Sequence, residues 1–274
     1  MQESSRLHPA LRRALAGVGS RAIPPAPARP LGVAAIDRVL GGGLAIGRVH
    51  ELFAQEAGDE ASAMGFAVML ARRLIGGDAE PGGATLLWLR EEAVQRRAPL
   101  HGPGLAHLGL DPARLVLGVL PDAKALLRAG VDALRCTALG AVVLELGGNP
   151  ALLDLTASRR LALAAEASGV TPLLLRLHGA RPAPSAAQTR WQVTSAPCAP
   201  LAADTPGQSM LGLALLRQRG GPAGFEWTVK WDRDAGSFRP AALPGAHLPL
   251  SGGGSRPQAD GDDGGTDAGW RIAV

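Results

Sequence analysis

The sequence has few of the residues on which several common kinds of functional site depend. It contains no tyrosine, only two cysteines, and an aromatic content of 3%. Cys136 and Cys198 lie far apart, and neither they nor the scattered histidines show the spacing of zinc ligands. So few cysteines also exclude a disulfide framework and are typical of a reducing compartment. We therefore expect a cytoplasmic protein that holds no metal ion.

Long apolar runs are missing as well. No stretch reaches the roughly 20 apolar residues that a membrane-spanning helix needs. The first 30 residues carry Arg12 and Arg13, followed by Pro24 and Pro25, where a secretion signal would have an apolar segment. The sequence thus predicts no contact with a membrane.

Lysine is almost absent, and most of the positive charge is carried by arginine. Lys124 and Lys230 are the only lysines among 28 basic residues, and the net charge is +4. The guanidinium group suits phosphates and carboxylates because its planar fork can donate two parallel hydrogen bonds. The charge balance therefore admits two interpretations, a solvated surface or a contact with nucleic acid.

Composition divides the chain into three parts. Residues 1–30 combine a short predicted helix, Leu7–Val18, with a proline-rich linker, Ile23–Pro30. Residues 31–240 form the predicted core. Residues 241–274 are rich in glycine and aspartate and are predicted to be disordered.

The core alternates between apolar strands and amphipathic helices, which predicts an α/β fold with a doubly wound, mostly parallel sheet. The predicted strands are Ala84–Arg90, Leu115–Val119, Ala141–Leu146 and Thr171–Leu177, and the predicted helices are Ala61–Leu74, Ala123–Arg135 and Thr156–Ala167. Three later segments have the alternating pattern of antiparallel strands, namely Arg190–Ser195, Gly212–Arg219 and Phe225–Asp232.

The turn after the first core strand occupies the position of a phosphate-binding loop. Such a loop reads G-x-x-x-x-G-K-[ST], in which backbone N–H groups and the lysine hold the phosphates. Here Ala54 and Asp59 stand at the two glycines, Glu60 at the lysine and Ala61 at the hydroxyl residue. Carboxylates repel a triphosphate, so this slot predicts a protein without a nucleotide cofactor and without catalytic residues.

These segments together resemble the core of RecA-type ATPases. Within that superfamily the chain is most similar to the ImuA family, the RecA/SulA-like proteins of bacterial inducible-mutagenesis cassettes. The resemblance covers roughly residues 31 to 240 and rests on three segments, Leu40–Phe53, Thr189–Val193 and Leu215–Phe225. It implies a RecA-like fold with a degenerate phosphate loop.

The resemblance also assigns two acidic positions. The catalytic glutamate of RecA-like proteins would fall near Glu91 or Glu92. The carboxylate that orients a magnesium ion would be Glu145, where an aspartate is usual. The alternative for Glu145 is a structural role at the end of a buried strand, with its carboxylate held by N–H groups of loops.

Four residues are candidates for contact with a partner or with DNA. Arg217 and Arg219 alternate along a predicted strand and should project from one face, and Arg190 and Trp191 belong to a family-like segment. The alternatives are a charged edge strand for the arginines and a core position for the tryptophan.

By resemblance, the chain is expected to be a non-catalytic assembly factor of SOS-induced, error-prone translesion DNA synthesis. Its implied partners are a Y-family-like polymerase homologue without catalytic residues and an error-prone polymerase III alpha-type subunit. Two other functions stay open, a weak single-stranded-DNA-binding module or modulator of RecA and, less favoured, a cryptic ATPase.

Overall fold

The computed structural model describes residues 27–54, 56–76, 84–198 and 209–241. The predicted helix Leu7–Val18 and the predicted tail beyond Ala241 lie outside these ranges. The predicted core is therefore described except for residue 55 and the segments 77–83 and 199–208.

A mixed sheet of nine strands forms the centre of the molecule, in the order β11-β10-β9-β8-β3-β7-β6-β4-β5. Strands β3 to β8 all run parallel to their neighbours within this group, whereas β9, β10 and β11 are added as antiparallel strands at one edge. The strands are β3 (His50–Ala54), β4 (Thr85–Glu91), β5 (Leu115–Leu120), β6 (Leu139–Gly147), β7 (Thr171–Leu177), β8 (Thr189–Ser195), β9 (Met210–Gln218), β10 (Phe225–Asp232) and β11 (Ser237–Pro240).

Six α-helices accompany the sheet in the described residues. They are α1 (Ala34–Val39), α2 (Glu60–Ile75), α3 (Glu92–Arg97), α4 (Gly102–His107), α5 (Ala123–Ala133) and α6 (Leu155–Ser168). Helix α2 packs on one face of the sheet, where its buried side chains share an apolar core with Trp88, Val143 and Trp191. Helices α5 and α6 cover the other face over a second core that includes Leu144 and Leu174.

The predicted α/β class is confirmed, and most predicted elements agree with the structure within two residues. One strand differs in its pairing. The sequence pattern predicts an antiparallel β8, yet this strand runs parallel to β3 and pairs antiparallel only with β9. The chain crosses from β7 past β3 to β8 through an irregular segment. A connection between parallel strands usually contains a helix, and the sequence has no helical pattern here.

A glycine turn connects α1 to the sheet. Two short strands, β1 (Ala28–Arg29) and β2 (Leu44–Ala45), pair antiparallel next to it. The end of the proline-rich linker is therefore part of a two-stranded sheet. Gly43 has a φ of 130°, and a Cβ atom there would lie 2.3 Å from the carbonyl oxygen of Arg29, so only glycine fits.

Candidate functional site

The turn between β3 and α2 lies at the carboxyl end of the central strand. β3 ends at Ala54, a single 3₁₀ turn covers Ala57–Asp59, and α2 begins at Glu60. Asp59 is the residue before the helix, but its side chain does not cap the N–H groups of α2. Its carboxylate instead accepts a hydrogen bond from Ser195 at the end of the neighbouring strand β8.

Asp59 and Glu60 both accept backbone N–H groups from other strand ends. Asp59 Oδ1 accepts the backbone N–H of Ser195 at 2.7 Å and lies 3.1 Å from the hydroxyl of the same serine. Glu60 Oε1 accepts the backbone N–H of His178 at 2.7 Å and lies 3.1 Å from Nδ1 of its ring. The ends of β3, β7 and β8 are thereby joined through two acidic side chains.

His178 has an unusual backbone conformation. Its φ is 55°, and no other non-glycine residue in the described ranges has a positive φ. Such a conformation costs on the order of 1 kcal/mol for a residue that is not glycine. The hydrogen bond to Glu60 therefore holds a strained strand end in place.

Glu145 is buried with both carboxylate oxygens occupied. Oε2 accepts the indole N–H of Trp88 at 2.8 Å, and Oε1 forms an ion pair with Arg90 at 2.8 Å. Arg90 also donates to Gln95, which lies in α3. The alternative interpretation of Glu145 as a structural residue needs one correction, because its partners are side chains of β4 and not N–H groups of loops.

The two glutamates near the end of β4 have different surroundings. Glu91 is the last residue of β4, and Glu92 begins α3. The carboxylate of Glu92 is exposed and accepts a hydrogen bond from Arg96 within the same helix. Glu92 therefore forms an exposed ion pair within α3.

A second buried ionic cluster lies on the opposite face of the sheet. Arg190 Nε donates to Glu51 at 2.8 Å, and the side chains of Arg190 and Arg176 both lie over the ring of Phe53. Burial lowers the pKa of Arg176, the charge of Glu51 opposes this shift, and the charge of Arg190 adds to it. Arg176 also donates to the side chain of Asn149.

Two of the four residues predicted to contact a partner or DNA, Arg190 and Trp191, are buried in the structure. Arg190 is 9% exposed and paired with Glu51, and Trp191 is fully buried beside Phe66. The position of Trp191 agrees with the alternative interpretation, a core tryptophan. Neither side chain is available at the surface, so the prediction of a partner or DNA contact is kept for Arg217 and Arg219 alone.

His50 is a buried histidine whose ring is fully hydrogen-bonded in the neutral form. Nε2 lies 2.8 Å from the carbonyl oxygen of Ala45, which only accepts, so Nε2 carries the proton. Nδ1 then accepts from the hydroxyl of Thr189 at 2.7 Å, and that hydroxyl accepts the indole N–H of Trp191. Burial lowers the pKa of His50 to about 4.

Arg217, in β9, and Arg219, just after the end of β9, both line one groove. The groove has a volume of about 550 Å³ and runs between α6, the segment 184–186 and the end of β9. Arg159, exposed on α6, is a third arginine of this groove that sequence reasoning missed. The helical period of Thr156–Ala167 predicts the helix that carries Arg159, but it does not indicate that Arg217 and Arg219 lie beside that helix.

The described residues contain no group of three or more histidine, cysteine, aspartate or glutamate side chains that could hold a metal ion. Nor does any helix in the described ranges have both the length and the apolar character required to cross a bilayer.

The strand order and the strand–turn–helix unit around Glu60 define an α/β protein with a mostly parallel central sheet. No family model matches the chain. The chain is 34% identical over 211 residues to Protein ImuA of Caulobacter vibrioides, from strains NA1000 / CB15N and ATCC 19089 / CIP 103742 / CB 15. The aligned region spans 73% of this chain and 82% of each relative. The chain therefore belongs to the ImuA family.

Among solved structures, the RadB recombinase is similar with a TM-score of 0.49 and 12% sequence identity. That likeness covers 78% of this chain and 100% of the recombinase.

Proposed function

We propose that the chain is a non-catalytic assembly factor of damage-induced, error-prone DNA synthesis, and that it works by binding other proteins without a nucleotide. One observation carries this proposal. The carboxylates of Asp59 and Glu60 lie in the turn where a RecA-type ATPase would hold phosphates, and both are bound to strand ends of the protein itself.

Electrostatics support the non-catalytic role. Two carboxylates close to a triphosphate would repel it, and the N–H groups of His178 and Ser195 already have acceptors. Glu145, at the position expected to orient a magnesium ion, has both oxygens bound by Trp88 and Arg90. To recruit a metal, the protein would have to break a buried ion pair, which costs several kcal/mol.

The role in mutagenesis is inferred from family membership. The relatives carry the name ImuA, and the inducible-mutagenesis cassettes of that family imply two partners. These are a Y-family-like polymerase homologue without catalytic residues and an error-prone polymerase III alpha-type subunit. A RecA-like core whose nucleotide turn is closed by its own side chains can still offer its outer surfaces to such partners.

The experiment that tests this function is a binding titration between the purified chain and the purified polymerase homologue from the same cell. We expect a complex at micromolar or lower concentration, with the same affinity in the presence and absence of ATP and Mg²⁺. No complex at micromolar concentration would contradict the assembly role. An affinity that depends on ATP would contradict its nucleotide independence.

Single-stranded DNA is a second candidate ligand, which one observation favours. Arg159, Arg217 and Arg219 lie on one groove, and within the described part of the chain no ion pair with a carboxylate is found for any of them. A phosphate contact through these groups predicts binding that weakens steeply with salt. Fluorescence anisotropy with a labelled oligonucleotide at two salt concentrations tests it, and binding that is absent or indifferent to salt would contradict it.

A further inference from the structure

The surface around α6 combines exposed leucines with arginines for which no acidic partner is found among the described residues. The groove between α6, the segment 184–186 and the end of β9, here called the α6 groove, is lined by ten residues. Those that bear on its chemistry are Leu155, Arg159, Leu163, Glu166, Arg217 and Arg219.

The charge of the α6 groove is unbalanced. Glu166 is the single acidic residue in its lining, and that carboxylate is engaged by Arg48. Arg217 donates to the backbone carbonyl oxygen of Ser185, which fixes the position of its guanidinium group without neutralising it. Three positive charges therefore face the groove against one carboxylate that already has a partner.

The same groove exposes apolar surface. Leu163 is 67% exposed and Leu155 is 36% exposed, and both lie on α6. These two leucines project into solvent next to the arginines, whereas Leu161 and Ala165 of the same helix pack on the sheet. Arginine is enriched in protein interfaces, and their buried centres are more apolar than the rest of the surface.

We propose that the α6 groove is the docking site for an acidic segment of a protein partner, with an apolar side chain of that segment packed between Leu155 and Leu163. Its carboxylates would pair with Arg159, Arg217 and Arg219, each through the fork of a guanidinium group. This inference rests on the proposed function, since it assigns the surface and the partner chemistry of the same assembly role.

The chemistry of the groove favours a protein over a nucleic acid. Proteins that bind single strands stack bases on aromatic side chains, and none of the ten residues that line the groove is aromatic. Exposed leucines contribute little to the binding of a phosphate backbone, because it offers them no apolar surface. An apolar side chain of a peptide can pack against them and bury that surface.

The test uses the full chain and, as probe, the purified polymerase homologue. Two groove variants are compared with the unmodified protein by titration calorimetry, Leu163→Asp and the double variant Arg217→Glu with Arg219→Glu. Controls place comparable changes elsewhere, with Val116→Asp on the exposed face of β5 and the double variant Arg38→Glu with Arg97→Glu at exposed positions of α1 and α3. Thermal unfolding of every variant checks that the fold is kept.

We expect each groove variant to weaken binding by about tenfold or more and each control to change it by less than about twofold. If the unmodified chain binds the probe but the groove variants bind equally well, the docking site is wrong and the assembly role stands. If the unmodified chain does not bind at all, the proposed function itself fails.

The same variants separate the two classes of ligand. Groove variants that lose binding to a labelled single-stranded oligonucleotide, while they keep the polymerase homologue, would overturn the docking proposal in favour of DNA. Should Leu163→Asp lower the unfolding temperature, Arg159→Ala provides a second groove variant, because its side chain is exposed on α6 and its loss removes no packing in either core.

Discussion

The carboxylate of Glu60 accepts the backbone N–H of His178 over 2.7 Å, and so joins the start of α2 to the end of β7. His178 at this strand end has the positive φ of 55°. In a phosphate-binding loop of the G-x-x-x-x-G-K-[ST] type, the lysine after the second glycine points to phosphates. Here the side chain serves the protein's own backbone.

Glu60→Ala should destabilise the protein through this contact. The substitution removes the acceptor of the His178 N–H at the strained strand end, and we expect a loss of about 1 kcal/mol in the free energy of unfolding. Urea unfolding followed by circular dichroism measures it. Glu56→Ala is the matched control, because Glu56 is exposed just before the 3₁₀ turn, and it should change the free energy by less than about 0.5 kcal/mol.

Glu145→Ala should have a larger effect. The change leaves Arg90, whose side chain is 1% exposed, as a buried positive charge without its counterion. Breaking a buried ion pair in this way costs about 3 to 5 kcal/mol. The exposed pair of Glu92 and Arg96 provides the comparison, since Glu92→Ala should cost less than about 0.5 kcal/mol. Equal losses in the two variants, measured by urea unfolding, would show that the buried network is not needed for stability.

The buried histidine predicts a specific dependence of stability on pH. The pKa of His50 is about 4 in the folded protein and about 6.5 when the chain is unfolded, so the unfolded state binds an extra proton between these values. Stability should therefore be intact above pH 6.5 and decrease as the pH falls from 6.5 to 4. A difference of this size corresponds to about 3 kcal/mol.

Other groups also titrate below about pH 5, so the variant His50→Gln provides the comparison. The free energy of unfolding of the unmodified protein should fall by more than that of His50→Gln over this pH range. Parallel curves for the two proteins would contradict the account of His50 as a neutral, fully bonded core residue.

Much of the fold could be predicted because its strands and helices have clear periods. The predicted bounds of Thr171–Leu177 and Phe225–Asp232 coincide with those in the structure, since turn residues enclose each of them. β11 at Ser237–Pro240 was missed, since four residues that end in proline carry too short a pattern. The parallel pairing of β8 could not be predicted from the sequence, because its alternation is that of an antiparallel edge.

The contacts at the candidate site were harder to predict than the elements. That acidic residues fill the turn was evident from the sequence, but their acceptor roles toward His178 and Ser195 depend on strand ends that lie 118 and 136 residues further along the chain. The alternating pattern of β4 did indicate that Arg90 could pair with Glu145. Trp88 and Arg90 alternate on one strand, so both face the same side as a carboxylate on the neighbouring strand.

We propose that Asp59 and Glu60 keep nucleotide out of the turn between β3 and α2, and nucleotide-dependent thermal stabilisation tests this proposal most directly. The melting temperature of the purified chain is measured over a titration of ATP with Mg²⁺ up to millimolar concentration, beside the variant Glu60→Lys. We predict no shift for the unmodified chain and no hydrolysis by either protein, because a lysine alone does not restore the two missing glycines. A saturable rise in the melting temperature of the unmodified chain, or measurable turnover of ATP, would contradict the account.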